Sequence, residues 1–152
     1  MKRRFFVFFS ASTLVAMSVF PAAAARLTPE VEVFKSPSCG CCGHWVEHMR
    51  ASGFAVKVTE VTDTAATRKR LGLADRFASC HTATVGGYVL EGHVPASDVK
   101  RLLATRPKAL GLAVPGMPPA APGMDVPGAK DPYQVFLVDA SGSSRVFANH
   151  PK

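Results

Sequence analysis

A dense cysteine cluster, Cys39-Gly40-Cys41-Cys42, sits where an apolar run gives way to a helical pattern. The run is Val31-Glu32-Val33-Phe34, and a Ser36-Pro37-Ser38 turn separates it from the cysteines. The segment therefore predicts a strand, a tight turn and a helix whose first turn carries thiols. Such a junction belongs to folds that alternate strands with helices. It also limits the chemistry. Free N–H groups and the dipole at a helix N-terminus favour thiolate over thiol. Crowded thiols of this kind suit two tasks, binding soft metal ions and exchanging disulfides.

The rest of the chain extends the same alternation. Val31 to Lys35 reads as a strand, and Cys42 to Ser52 has helical spacing that Gly53 ends. Ala55 to Val61 alternates with period two, which predicts a strand with Val56 and Val58 or their neighbours facing a core. Thr64 to Leu71 reads as a helix stopped by Gly72. Thr82 to Val85 and Tyr88 to Glu91 flank Gly86-Gly87 as a tight hairpin, and a helix follows from about Ala96 to Thr105. From Pro107 to Pro132 there are seven prolines and four glycines with little periodicity, so an irregular loop is predicted. Tyr133 to Val138 is an apolar strand, Asp139 to Gly142 a turn, and Arg145 to Ala148 a short last strand. The order predicts an α/β fold: a thioredoxin-like central mixed sheet flanked by helices, with a Pro/Gly-rich loop and an added C-terminal β-hairpin.

Residues 1–25 read as a secretory leader rather than as part of the fold. Lys2-Arg3-Arg4 precedes an apolar stretch from Phe5 to Phe20, and Ala22 to Ala25 offer cleavage after Ala24 or Ala25. A single domain is then expected over 26–152. Three of the 18 Lys and Arg lie in the leader, so 15 face 11 Asp and Glu, and the formal charge falls from +7 to +4. The remaining cations are scattered, and Arg68-Lys69-Arg70 reads as a solvated helix face. No phosphate-binding loop and no interleaving of aromatic with basic residues points to nucleic acid. No membrane contact is expected once the leader is removed.

Export makes disulfides permissible, and four cysteines would ordinarily suggest two staples. Here every connectivity needs either a bond between near neighbours in Cys39–Cys42 or a strained vicinal bond. So short a loop removes little unfolded-chain entropy, which makes the cluster a poor staple.

Helical spacing places Cys42, Trp45, Val46 and Met49 on one face, packed on the sheet, with Cys42 more buried than Cys39. Cys41, His44 and His48 fall on the neighbouring stripe, where a solvated histidine pair is the simpler reading than a pair of ligands. Cys80-His81 precedes the third strand, and in this topology that loop faces the N-terminus of the first helix. Cys80 then joins the cluster, with His81 beside it and His93 at the same rim, where His93 reads equally as a loop histidine bonding a backbone carbonyl or as a group that binds or supports a metal. Met117 and Met124, in repeated Pro-Gly-Met units, read as fillers of apolar gaps rather than as thioether donors. Adjacent Cys41 and Cys42 cannot easily share one zinc tetrahedron, whereas Cu(I) accepts low coordination numbers and bridging sulfur. Copper is the expected ion, with zinc second.

The segments Val33–Trp45, Cys80–Ala83, Gly87–Pro95 and Gly111–Pro118 together resemble the CopG-like family of exported bacterial metal-binding proteins linked to copper resistance. The resemblance implies a thioredoxin-like fold, a periplasmic location and copper held by the Cys-x-Cys-Cys motif. Carried onto this chain, it implies Cys39, Cys41, Cys42 and Cys80 as metal ligands, with His81 and His93 supplementary. The expected function is Cu(I) sequestration, transfer or redox handling, the site being multinuclear, with periplasmic copper donors or acceptors as partners. A rival is a thiol–disulfide oxidoreductase using the Cys39/Cys42 pair, and a third reading is a stapled interaction module without metal.

Overall fold

The computed structural model describes residues 29–124 and 126–150. The predicted leader lies outside them. Among these residues no helix is long and apolar enough to cross a membrane.

The elements follow the predicted alternation: β1 (Val31–Lys35), α1 (Gly40–Ala51), β2 (Val56–Glu60), α2 (Thr64–Arg70), a 3-10 turn at Asp75–Phe77, β3 (His81–Val85), β4 (Tyr88–Glu91), α3 (Ala96–Thr105), β5 (Gly111–Ala113), β6 (Tyr133–Val138) and β7 (Ser144–His150). The described strands form one mixed sheet in the order β2-β1-β3-β4-β5-β6-β7. β1 runs parallel to β2 and antiparallel to β3, and β3 and β4 form the predicted hairpin.

Each face of the sheet carries its own apolar layer. Val31 and Val33 alternate inward from β1 and meet Trp45, Val46 and Met49 of α1, Leu90 of β4, and Val99 and Leu102 of α3. On the other face Leu73, Phe77, Val89, Ala113 and Val138 form a smaller cluster. Val89 and Leu90 are consecutive in β4 and so serve opposite layers. α1 presents the predicted stripe, with Cys42, Trp45, Val46 and Met49 all buried. The sheet is thus sandwiched between helices, as the element order implied.

Three expectations are corrected. The Pro107–Pro132 segment is not wholly irregular, because Gly111–Ala113 forms β5, parallel to β4 and antiparallel to β6. This short strand joins the C-terminal hairpin to the sheet; three residues amid prolines and glycines are too few to show a period. Val56 packs against the core as expected, but Val58 is 37 % exposed, because β2 is an edge strand with little packed outside it. Arg68 is buried rather than solvated: its guanidinium reaches Asp75 Oδ1 at 2.7 Å and lies 3.8 Å from the buried Glu91.

The far edge is fastened by side chains. Buried Asp98 of α3 meets His150 Nε2 at 2.6 Å and Arg101 at 3.1 Å, and Arg101 donates to the Phe147 carbonyl. The last strand therefore runs to His150, past its predicted end at Ala148.

At Gly111 the β4–β5 pairing leaves no room for a Cβ, which would fall on the Val89 carbonyl. Gly111→Ala is expected to lower unfolding stability by about 1–3 kcal/mol by overpacking that junction. Denaturant midpoints measure this, and unchanged stability would show that β5 is not a tight joint.

Candidate metal centre

The centre is built where three chain segments reach the same end of the sheet. β1 ends at Lys35, and the turn that follows is closed by the Cys39 N–H donating to the Ser36 carbonyl at 3.1 Å. Cys39 is the N-cap of α1, so Cys41 and Cys42 occupy its first turn. β3 is antiparallel to β1 with His81 opposite Lys35, which returns Cys80 to the same end. The β4–α3 connection adds His93.

Cys39 and Cys42 are joined by a disulfide, their Cα atoms 5.4 Å apart, while Cys41 and Cys80 are free thiols. Two staples are thus absent among the described residues, and the one bond is the Cys39/Cys42 pair of the oxidoreductase reading. The bond is a near-neighbour one, and a helix-start Cys-x-x-Cys already holds its two cysteines close enough to form it. As predicted, Cys42 is buried and Cys39 only half-buried. The Sγ atoms of Cys39 and Cys41 lie 3.6 Å apart, and Cys42 Sγ is 3.7 Å from the Cys80 carbonyl oxygen. The sulfurs of Cys39, Cys41, Cys42 and Cys80 all lie within 4.8 Å of one another.

Cys80 belongs to a second group as well. Its Sγ is 3.1 Å from His93 Nε2 and 3.3 Å from His81 Nδ1, and these three atoms also lie within 4.8 Å of one another. His93 Nδ1 donates to the Pro122 carbonyl at 2.7 Å, which turns the Nε2 lone pair toward Cys80. The His81 ring lies 4.5 Å from that of Trp45, and its buried Nε2 has no hydrogen-bond partner. Trp45 is fixed in turn by Nε1 donating to the Val94 carbonyl at 2.9 Å. All six residues singled out in the sequence are thus brought together.

Burial sets the protonation states. The Cys80 thiol is pushed up to about 12, mainly by desolvation and then by the neighbouring Cys41. His81 is pushed down to about 3 by burial, with His93 and Lys35 adding like-charge repulsion. Without a bound cation the site therefore holds a neutral Cys80 thiol beside a neutral His81 imidazole. A soft cation would displace the thiol proton and meet lone pairs already in place. The donor set, sulfur with imidazole nitrogen, suits a thiophilic ion such as Cu(I) or zinc.

His44 is exposed, in keeping with a solvated stripe, but His48 is not merely solvated. His48 Nε2 accepts the Ala96 N–H at 3.1 Å and so caps α3, and burial lowers its pKa. That bond places the ring proton on Nδ1 and leaves no lone pair for a metal. Met117 is 55 % exposed, so it fills no gap, whereas Met124 is half-buried.

Sequence reasoning missed three contributors. One is Pro122: a backbone carbonyl is one of the two expected partners of His93, and only the loop's path shows that it is this one. Another is the His48 cap. The third is Glu91, whose carboxylate accepts the Ser79 N–H at 2.8 Å and the Thr82 hydroxyl at 2.7 Å. Burial pushes Glu91 up to about 7, opposed by those two bonds and by Arg68. An acid closing the apolar run Tyr88-Val89-Leu90 was the one available signal for it.

Comparison with known proteins adds three findings. Residues 77–124 match the family model described as "Protein of unknown function, DUF411". Two solved structures, named "Copper resistance protein copG- Form 1" and "Form 2", are 39% and 40% identical to the chain, with TM-scores of 0.77 and 0.78. Each match covers 82% of this chain and 99% of the other. No curated protein matches the chain.

His81 makes the metal-free protein acid-sensitive. The unfolded chain protonates this residue near 6.5, and the native chain only near 3. The unfolded state therefore binds the extra proton between those values, so the His81 contribution to stability is full above 6.5 and falls as pH drops toward 3. Glu91, which the native chain protonates near 7 and the unfolded chain near 4.5, works the other way over part of this range, so the readout is a difference: in denaturant unfolding of metal-free protein at pH 7, 5.5 and 4, the unaltered protein should lose stability relative to His81→Phe as pH falls. An equal slope in both proteins would contradict the assignment.

Proposed function

The chain belongs to the CopG family of copper resistance proteins, and on that premise we propose that it binds Cu(I) through Cys39, Cys41, Cys42 and Cys80 to sequester the ion or pass it on. Its function is copper-related, and the observation that carries the finer reading is the convergence of four sulfurs and two imidazoles at one end of the sheet. Cys80 is common to both donor groups, and this supports its thiolate as a bridge between ions bound on either side. That sharing favours more than one copper, held by bridging sulfur, over a single tetrahedral zinc. His81 Nδ1 and His93 Nε2 supply the supplementary nitrogen donors.

The Cys39–Cys42 bond makes the donor set conditional. Reducing it takes two electrons and two protons and releases two further thiols. In the oxidised form Cys41, Cys80, His81 and His93 remain. Because bound thiols must lose their protons, acid releases the metal. The leader expected in residues 1–25, together with the copper-resistance relatives, supports a periplasmic setting for this work, with copper donor or acceptor proteins as the proposed partners.

Anaerobic titration of the reduced protein with Cu(I) against a competing chelator tests the reading. Tight binding that weakens at least about a hundredfold in a Cys39/Cys41/Cys42→Ser variant is expected, beyond the loss typical of outer-shell changes. Binding no tighter than that of the variant sinks it.

A second reading has its own support. The Cys39–Cys42 disulfide at the start of α1 is the layout of a thiol–disulfide oxidoreductase on a thioredoxin-like scaffold. Insulin reduction by metal-free protein separates the two. Turnover that survives Cys41→Ser and Cys80→Ser supports the enzyme, and its absence leaves copper binding as the function.

A further inference from the structure

The least expected feature beside the centre is a buried carboxylate that touches none of the six donors. Glu91 is fully buried at the end of β4, opposite Thr82 in the β3–β4 pairing. Successive strand residues alternate faces, so Glu91 and Thr82 share the face opposite His81. From there its two oxygens grip the chain on either side of Cys80-His81. Oε1 accepts the Ser79 N–H at 2.8 Å, and Oε2 accepts the Thr82 hydroxyl at 2.7 Å. The backbone tightens the same clasp, since the Gly92 N–H donates to the His81 carbonyl at 2.9 Å. Gly92 has a φ of +69°, and a Cβ there would meet the Ser79 side chain and the Val114 carbonyl. Arg68 lies 3.8 Å from Oε1 and is itself held by Asp75, so the carboxylate sits beside a fixed positive charge.

We propose that Glu91 is a positioning residue of the metal centre: by bonding Ser79 and Thr82 it fixes the turn that aims Cys80 Sγ and His81 Nδ1 at the Cys39–Cys42 segment and at His93. The inference rests on the reading of Cys80 and His81 as copper ligands. A carboxylate is suited to the task because both its oxygens accept, and the two groups it must hold are both donors. Buried donors left unpaired are costly, which keeps the turn in this one arrangement. The copper ligands would then lie in place before any ion arrives.

Glu91→Leu keeps the volume and removes both acceptors. Glu91→Gln keeps an acceptor for Ser79 and a hydrogen-bonding partner for Thr82. Cu(I) affinity of the reduced protein, read by chelator competition, should fall about tenfold or more in Glu91→Leu and stay within about threefold in Glu91→Gln, the size of an outer-shell effect. Leu137→Ala, a core change in β6, controls for lost stability alone and should leave affinity unchanged. In a Cys80→Ser background the Glu91→Leu effect should vanish, because its route to the metal is gone. Unchanged affinity in Glu91→Leu, a loss that persists without Cys80, or a Gln variant as weak as the Leu one would each overturn the proposal. If Glu91→Leu does not fold, Thr82→Val removes one of the two bonds and is read in the same way. If the unaltered protein does not bind Cu(I), the copper reading falls, and alkylation of the metal-free disulfide form decides the positioning role. There Cys80 should react with iodoacetamide severalfold faster relative to Cys41 in Glu91→Leu, and an unchanged ratio would reject it.

Discussion

The antiparallel pairing of β1 with β3 governs where the chemistry lies. With Lys35 opposite His81, the end of one strand and the start of the other coincide, so the helix-start cysteines and Cys80 meet without any long excursion of the chain. The pairing is held by the sheet ladder and by the apolar layer of Val31, Val33, Ala83 and Val85 beneath α1. A slip of one residue would turn Ala83 and Val85 to the other face and carry His81 away from Trp45. The donor constellation is therefore a by-product of core packing, and it is as well defined as the core itself.

Polar groups then refine what packing places. Trp45 Nε1 on the Val94 carbonyl, His48 on the first N–H of α3, and His93 on the Pro122 carbonyl tie α1, the β4–α3 connection and the long loop together. Each satisfies a group that burial would otherwise leave costly. A related logic holds on the opposite face, where the Ser79 N–H, the Thr82 hydroxyl and nearby Arg68 favour the ionised form of Glu91 against a burial that pushes its pKa up.

Much of this was legible from residues alone. Strong periodicity in α1 and α3, the Gly86-Gly87 turn and the Cys-rich junction all report local physics, and the structure follows them. The convergence of Cys80, His81 and His93 could be read because topology, not side-chain detail, brings them together. What escaped depends on contacts between segments distant in sequence. Arg68 looked like one of three solvated cations because nothing near it in the chain announces Glu91. β5 is three residues long and owes its conformation to β4 and β6. The chain-entropy argument spoke only to stapling, because entropy governs what a bridge contributes to stability and not whether two close thiols oxidise, as Cys39 and Cys42 have.

The loop between β5 and β6 also bears on how far the site can be moved. Its prolines and glycines resemble a dispensable connector, yet Pro122 sets the orientation of the His93 ring, and Gly123 lies against the backbone of α1 at Trp45. A grafted Cys-Gly-Cys-Cys turn would carry three thiols into another α/β protein. It would leave behind the carbonyl that decides which imidazole nitrogen of His93 faces Cys80. The smallest transplantable unit is therefore not the motif but the sheet end together with its covering loop.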